Sequence, residues 1–325
     1  MTDKFDYINQ NKEISPYSLF LGNPRHNAKT AKKQIYPIVK LGEKTTYSPE
    51  RHVDSPEVII KAQQLISRDG KSTNSLFNQI RNNGGIQNHL DFGGDVILSS
   101  IMPDRAIEGL TSETYAEIID TLGIKYYLTP DGETYLREPE VSAVEINRML
   151  NQTQALRDCC PLCVPIGLVK GCTDNQILYH LEMMQNMGIQ RFCFHLADFF
   201  RGPDYVLQIA KRFAYLIRER TDELIIYGIG SKKHINSFRF VDGFATQSHY
   251  VKAYYGYRYE YGRWIRSPGR KVDRELVMHN LHAISSFVED LRNQQELTPF
   301  LEEEVDGPLR NSTAEQIGMN YCTYT

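Results

Sequence analysis

Polar side chains recur in this sequence directly before or after short apolar segments, where a folded chain could bring several of them together. A carboxylate beside a second carboxylate can act as a nucleophile or exchange a proton with a substrate. Acidic groups that converge on one place more often serve chemistry or metal binding than stability. Taken singly, each has a structural explanation, because an Asp after a strand commonly caps a helix or turn and a His in an apolar strand commonly belongs to the core. The candidates are Asp91, Asp95, Asp131, Lys170, His195, Gly230 and Asp242.

The segments that must position these groups alternate between two patterns. Short runs rich in Val, Ile, Tyr and Phe predict strands, and the amphipathic stretches between them predict helices. Predicted strands cover 35–41, 89–98, 125–129, 164–170, 191–197, 224–229 and 240–246. Predicted helices cover about 56–67, 112–122, 140–152, 174–187, 203–220, 232–238 and 274–294. Unbroken repeats of this kind favour an α/β fold, a (β/α)8 TIM-type barrel, whose active site is built at the carboxyl ends of its strands.

The expected organisation is one domain with additions at both ends. Residues 1–85 are polar and punctuated by prolines, and we expect an irregular N-terminal extension that packs on the barrel. The barrel with its C-terminal helix is expected over 86–295, and a tail over 296–325.

The composition indicates a globular protein and excludes some classes of partner. Hydrophobic residues make up 41% of the 325, enough for a sizeable core, and the formal net charge is −3. A chain so near neutrality is not a polycation that coats nucleic acid, so any such contact must come from a local patch. The apolar runs are too short for a bilayer and the N-terminus lacks the apolar stretch of a signal peptide, so we expect a cytoplasmic protein without membrane contacts. The sequence is compatible with a homodimer.

Four of the six cysteines are bunched at Cys159, Cys160, Cys163 and Cys172. We expect reduced thiols rather than a disulfide framework. The CxxC spacing of Cys160 and Cys163 leaves a metal site open. The alternative is that these small side chains line a buried strand, since no second CxxC completes a tetrahedral set.

Five short segments, in the correct order, carry a resemblance to the tRNA-guanine transglycosylase superfamily over roughly residues 85–295. The segment 91–99, DFGGDVILS, resembles the family strand D-S-G-G-F-Q-V-x-S. GLVKG at 167–171 resembles G-I/V-V-Q-G, and IYGIG at 226–230 resembles the Y-L-x-G-x-G turn. FVDGFATQSHYVKA at 240–253 resembles the archaeal-type L-F-D-S-A-S-Y-A-L-Y-A segment, and MHNLHA at 278–283 resembles the x-H-N-L helix that follows the barrel.

The resemblance implies base exchange at a guanine of a nucleic acid. It places Asp242 on the nucleophile, which would attack C1′ of the sugar and form a covalent glycosyl ester, as in a retaining glycosidase. It places Asp91 on the acid/base residue, which would protonate the departing guanine. Asp131 is suited to accept hydrogen bonds from the guanine N1–H and 2-amino groups. The remaining base-binding candidates are Lys170, His195, Gly230 and Asp95.

Several departures from the family pattern indicate which branch of the superfamily the chain resembles. The family binds zinc with the His of H-N-L and three cysteines, whereas no cysteine lies between Thr246 and His279, so we expect no cofactor and no metal. Lys170 replaces the Gln that reads the base edge, and His195 begins a segment that replaces a Gly-Gly site. Only about thirty residues follow the last predicted helix, so the C-terminal RNA-binding domain of the archaeal enzymes is not expected. The chain therefore looks more like the DNA-guanine (7-deazaguanine) transglycosylase branch, DpdA, which implies DNA and a 7-deazaguanine base such as preQ0 as partners.

Residues 250–274 interleave aromatic and basic side chains. Aromatic rings can stack on unpaired bases and cations can neutralise phosphates, which a reaction on a flipped-out base requires. The alternative is a tyrosine-rich hairpin with solvated arginines, because Tyr257, Tyr259 and Tyr261 alternate with the period of a strand. The nucleic-acid-binding candidates are Lys252, Tyr257, Arg258, Arg263, Trp264, Arg266, Arg270 and Lys271.

Three other functions stay open. The same exchange could act on tRNA, or the barrel could bind nucleic acid without catalysis. The third is a metal-dependent hydrolase with Asp91, Asp131, His195 and Asp242 as ligands, although the sequence has no HxH motif to support it.

Overall fold

The computed structural model describes residues 34–42, 56–197, 199, 204–266 and 274–297. Eight parallel strands form a closed barrel in chain order, with the last strand paired to the first. The barrel strands are β1 Gln34–Val39, β2 Glu57–Lys61, β3 Asp95–Ser99, β4 Tyr126–Leu128, β5 Val164–Val169, β6 Arg191–His195, β7 Glu223–Tyr227 and β8 Gly243–Thr246. The predicted (β/α)8 barrel is confirmed.

Ten α-helices accompany the strands in the described part of the chain. They are α1 Ser75–Asn82, α2 Ile86–Leu90, α3 Asp104–Gly109, α4 Ser112–Leu122, α5 Pro139–Cys159, α6 Asp174–Asn186, α7 Asp204–Arg218, α8 Lys232–Ser237, α9 Ser248–Tyr254 and α10 Arg274–Leu297. A 3₁₀ turn, Ala62–Gln64, follows β2, and an antiparallel hairpin of β9 Tyr257–Glu260 and β10 Arg263–Arg266 separates α9 from α10.

Each barrel strand is apolar on both faces, and this explains why its sequence reads as a continuous run. In β2, Ile59 packs inside the barrel, while Val58 and Ile60 pack outward against the helices. Parallel strands covered on both sides generally read this way. Such a run is difficult to distinguish from a short buried helix by its periodicity.

Two expectations about the early chain were wrong for that reason. The helix expected over 56–67 is β2 followed by the 3₁₀ turn. The strand expected over 89–98 begins as the helix α2 and becomes β3 only at Asp95. The barrel therefore starts with β1 rather than at residue 86, and part of the supposed N-terminal extension supplies two of its strands.

The amino-terminal end of the barrel is closed by a network of charges around Arg191. Its guanidinium donates to both carboxylate oxygens of Glu57, at 2.8 and 3.0 Å, and to Glu223 at 2.9 Å. The Tyr36 hydroxyl donates to the same Glu223 carboxylate at 2.9 Å. A Cβ added to Gly243 would lie only 2.4 Å from the Tyr36 ring. Because glycine has no side chain, the ring fits inside the barrel at this point. These contacts join β1, β2, β6 and β7 at one end.

We expect Arg191→Ala to destabilise the protein by about 3–5 kcal/mol, because it leaves two largely buried carboxylates without their cation. The measurement is denaturant unfolding followed by circular dichroism. Arg212→Ala is the matched control, since Arg212 pairs with Asp174 near the surface and such pairs contribute about 0–1 kcal/mol. Equal losses for the two variants would show that the Arg191 network does not stabilise the barrel.

Candidate functional site

Three of the predicted site residues meet at the carboxyl end of the barrel, here called the mouth. Asp131 follows β4, Lys170 follows β5, and His195 is the last residue of β6. Strand order makes these three strands consecutive neighbours. The structure thus brings Asp131, Lys170 and His195 together, as predicted, and their role in binding a base stays a prediction.

Asp131 and Lys170 form an ion pair that is almost removed from solvent. The ammonium lies 2.9 Å from Oδ1 of Asp131, and the two side chains are 14% and 4% exposed. The Gly132 amide also donates to Oδ1, at 2.8 Å, and Arg148 donates to the Asp131 carbonyl at 2.9 Å, which fixes the loop. Both contacts of the carboxylate fall on Oδ1. Among the described residues no partner is recorded for Oδ2, which therefore stays available to a ligand.

His195 stands beside this pair as a neutral imidazole. Burial, together with the positive charges of Lys170 and Lys61, lowers the pKa of His195 to about 3. Its ring packs edge-on against Tyr227, with the ring centroids 5.5 Å apart. Within the described part of the chain no hydrogen bond is recorded for its ring nitrogens, so one can donate and the other accept.

A cavity of about 120 Å³ opens beside these groups. Lys170, Gly171 and His195 form its polar wall, and the rest is mainly apolar. The other lining residues are Thr134, Leu136, Phe194, Phe199 and Val206. A concave, largely apolar space with a few converging polar groups is the usual form of a small-molecule site, and this one lies at the end of a barrel where such sites occur.

Gly230 lies after β7, on the mouth side, in a crowded place. An added Cβ would lie 1.8 Å from Oγ of Ser248 and 2.7 Å from Oγ1 of Thr246. The glycine therefore lets the turn after β7 pass close to the start of α9. This packing role is what the structure shows, and base binding by its backbone stays a prediction.

Lys61 and Gln247 belong to the mouth but were missed in the sequence. Lys61 ends β2, and its ammonium donates to Oε1 of Gln247, just beyond β8, at 3.1 Å. Burial lowers the pKa of Lys61. A lysine at the end of an apolar run could have indicated a strand-end residue. It was overlooked because residues 56–67 were interpreted as a helix.

Glu133, two residues after Asp131, is a second perturbed group that sequence reasoning did not find. Burial raises its pKa to about 7, with further contributions from the carboxyl groups of Asp104, Glu145 and Glu108. A carboxyl with that pKa can both give and take a proton near neutral pH. No local sequence pattern predicts the raised pKa of Glu133, because its acidic neighbours come from α3 and α5.

Asp242 was expected at the carboxyl end of its strand, and that placement was wrong. It precedes β8 and lies at the amino-terminal end of the barrel, 5% exposed. Arg218 holds its carboxylate at 3.0 and 3.1 Å, and the Leu224 amide donates to it at 2.8 Å. The carboxylate ties α7 and β7 to the start of β8. This geometry gives Asp242 a structural role and does not support a nucleophile at the mouth.

Asp91 and Asp95 also lie at the amino-terminal end. Asp91 is exposed and closes α2 in the left-handed region, with φ 53°. Asp95 is the first residue of β3 and lies 4.0 Å from Lys125. The physical reason is the course of the chain: α2 replaces the first part of the predicted strand, so both carboxylates precede β3 instead of following it. Neither can reach a base bound at the mouth.

The predicted metal alternatives are not supported by the arrangement of their ligands. Cys160 and Cys163 lie near the start of β5, whereas Cys172 lies beyond its other end and contacts Gln176. Asp91 and Asp242 are likewise separated from Asp131 and His195 by the length of the barrel. No group of three or more metal-binding side chains occurs among the described residues.

The basic and aromatic segment forms a hairpin, as its alternating tyrosines predicted. Trp264 packs edge-on against Tyr259 at 4.7 Å between ring centroids, and Lys252 lies over the rings of Trp264 and Tyr257. Arg258 is paired with Glu260 at 2.7 Å, so it is not an available cation. Arg263 and Arg266 are exposed. Arg270 and Lys271 fall outside the described residues.

The x-H-N-L resemblance has a structural explanation in this chain. Asn280 of α10 accepts from the Tyr259 amide at 2.7 Å and donates to the Tyr257 carbonyl at 2.9 Å. Nε2 of His279 contacts Nε of Arg258 at 3.2 Å and the Tyr259 carbonyl at 3.0 Å. These side chains fasten the hairpin to α10.

In comparisons with known proteins, no protein-family model matches the chain and no curated protein matches its sequence. The resemblance to the transglycosylase superfamily therefore stays a prediction. None of the helices in the described ranges combines the length and the apolar character needed to cross a membrane.

We expect Asp242→Asn to lower the free energy of unfolding by about 3 kcal/mol while guanine-type ligands still bind, because the substitution leaves the largely buried Arg218 unpaired. Thermal unfolding and calorimetric titration measure the two quantities. Asp95→Asn is the control, since it removes only a long, solvent-exposed pair with Lys125. An Asp242→Asn protein as stable as the parent would contradict the structural role.

Proposed function

We propose that this barrel binds a guanine-type base of a nucleic acid at its mouth, through Asp131, Lys170 and His195. The observation that carries the proposal is the buried Asp131–Lys170 pair, whose Lys170 lines a small cavity together with His195 and several apolar side chains. Taking an ion pair out of water costs free energy, but the similarly buried Arg218–Asp242 pair serves structure, so burial alone does not indicate a ligand. The Asp131–Lys170 pair differs because no partner is recorded for Oδ2 of Asp131 among the described residues, which favours a ligand that bonds to this oxygen.

The hydrogen-bonding pattern of the site is complementary to the edge of guanine. Oδ2 of Asp131 can accept from N1–H or the 2-amino group, and the Lys170 ammonium has protons left to donate to O6. The neutral His195 can donate a hydrogen bond to the base or accept one from it, at a polar edge that Asp131 and Lys170 do not use. Phe199, Leu136 and Val206 supply apolar surface against which a flat ring can pack.

The surrounding surface suits a polynucleotide better than a free base. The hairpin lies on the mouth side, because its turn at Gly262 approaches Lys232 at the start of α8, which follows β7. Arg263 and Arg266 are exposed there, and Lys40 at the end of β1 lies over Tyr250 of α9. Cations along one rim can follow a phosphate backbone while the base enters the mouth. DNA is the substrate we favour, with tRNA as the alternative.

Exchange of the bound guanine for a 7-deazaguanine base is the second candidate function. Glu133 favours it, because a carboxyl with a pKa of about 7 close to Asp131 can protonate a departing base and later accept a proton. The reaction cannot use Asp242 in the described geometry. Incubation with preQ0 and guanine-labelled single-stranded DNA, duplex DNA or tRNA tests it: release of labelled guanine supports exchange, and binding without release favours a non-catalytic barrel.

We expect Asp131→Asn and Lys170→Met each to weaken guanine binding by roughly 10- to 100-fold, since each removes a charge-assisted hydrogen bond worth about 1.5–3 kcal/mol. Calorimetric titration with guanine or a soluble 7-deazaguanine measures the loss, and adenine tests the choice of base. Asp95→Asn is the matched control at the opposite end of the barrel. Undiminished guanine binding in both mouth variants would overturn the proposed site.

We expect Arg263→Ala combined with Arg266→Ala to weaken binding of single-stranded DNA and to reduce its dependence on salt. The log–log slope should fall by roughly one unit for each lost phosphate contact. Fluorescence anisotropy at several salt concentrations measures the slope. Arg81→Ala combined with Arg239→Ala removes two exposed arginines elsewhere on the surface and serves as the control. Equal slopes in the two double variants and the parent would show that the hairpin does not contact nucleic acid.

A further inference from the structure

We propose that Lys61 is a nucleophilic amine that forms an imine with an aldehyde carbon held in the mouth. The class of substrate that fits is a base-free sugar of a nucleic acid, whose ring-opened form carries an aldehyde at C1′. The choice of this substrate rests on the proposed function, whereas the position of the amine does not.

The position of Lys61 follows from the closure of the barrel. It ends β2, and β2 lies four strands from β6, so Lys61 and His195 project from opposite sides of the mouth. The ammonium of Lys61 bonds to Gln247, which follows β8, and β8 and β2 flank β1 on opposite sides, so the side chain extends across the end of β1 at the mouth. Under the proposed function, a sugar that has lost its base would lie in the mouth across from Asp131, Lys170 and His195, which is the side where Lys61 ends β2.

The surroundings of Lys61 favour an uncharged amine. Its recorded partner is the neutral Oε1 of Gln247 at 3.1 Å, and no carboxylate is recorded in contact with it among the described residues. Burial lowers the pKa of Lys61. Desolvation of a lysine is a recognised way of activating its amine for attack on a carbonyl.

The other nucleophiles described at the mouth are less suited to this reaction. The Cys193 thiol lies inside the barrel, where burial raises its pKa and keeps it protonated. The Ser99 hydroxyl is engaged with the Tyr227 hydroxyl at 3.4 Å and accepts from the Ile101 amide at 3.2 Å. Asp131 is already paired with Lys170. Lys61 differs from these groups because it ends its strand at the mouth and its recorded partner is a neutral amide oxygen.

The chemistry balances without a cofactor. The lone pair of Nζ forms a bond to the aldehyde carbon, and the carbonyl oxygen takes up a proton to give a carbinolamine. That oxygen then leaves as water with a second proton, and the nitrogen and carbon are joined by a double bond. The two hydrogens of the water come from the amine, so the sum is amine plus aldehyde giving imine plus water. Cyanoborohydride reduces the imine to a stable secondary amine.

The test traps that adduct on the full-length protein. A single-stranded oligonucleotide with one abasic site is incubated with the protein and cyanoborohydride, and the covalent complex is quantified on denaturing gels and mapped by peptide mass spectrometry. We expect the adduct on Lys61, and at least a tenfold loss of it in Lys61→Arg. Lys125→Arg, at the amino-terminal end of the barrel, is the matched control and should trap as the parent does. Thermal unfolding of both variants verifies that they fold.

Guanine titration on the same preparations separates the two proposals. Absence of an adduct, or an adduct undiminished in Lys61→Arg, overturns the role of Lys61 whether or not guanine binds. An adduct on Lys61 without guanine binding supports the amine and overturns the proposed function. Were Lys61→Arg unfolded, Lys61→Met and the mapped site on the parent protein would decide the assignment in the same way.

Discussion

All eight strands of the barrel run in the same direction, and this constraint decides which side chains can meet. A residue at the start of a strand shares an end of the molecule with the starts of all the others, and a residue at its finish shares the mouth. A small difference in where a strand begins can therefore move a side chain from one end of the barrel to the other. Asp242 and Lys61 show both outcomes, because the first precedes its strand and the second ends one.

The two ends of the barrel differ in how fully their charges are satisfied. At the amino-terminal end, Arg191 binds two carboxylates, and Arg218 binds both oxygens of Asp242. These pairs connect neighbouring elements, and in the described part of the chain Nε of Arg191 is left without a hydrogen-bond partner. At the mouth, the ion pair of Asp131 leaves one oxygen without a recorded partner in the described chain, and Lys61 contacts a neutral amide. Carboxylates held by arginines at one end, and a carboxylate oxygen without a recorded partner at the other, are the arrangement expected when one end holds the fold and the other binds ligand.

The structure supports part of the predicted site. Asp131 and Lys170 follow neighbouring strands at the mouth, and their role in base recognition is a proposal. The segments that suggested Asp91 and Asp242 place their carboxylates at the other end. A mouth that recognises a base is therefore better supported than a reaction through those two aspartates, and any exchange would require other groups, of which Glu133 and Lys61 are the ones the structure offers.

The sequence by itself indicated the fold class, because unbroken repeats of apolar runs and amphipathic stretches favour a barrel of parallel strands. It also located Asp131, Lys170 and His195, since each directly follows or ends a run whose strand character was clear. It could not locate β2, because EVIIK has no period that separates a doubly covered strand from a helix. Only the tertiary structure decided that Asp242 pairs with Arg218, that Glu133 gathers acidic neighbours from two helices, and that Lys61 reaches over the mouth. Those properties arise from residues distant in the chain, and burial and charge at such places are set by packing rather than by local sequence.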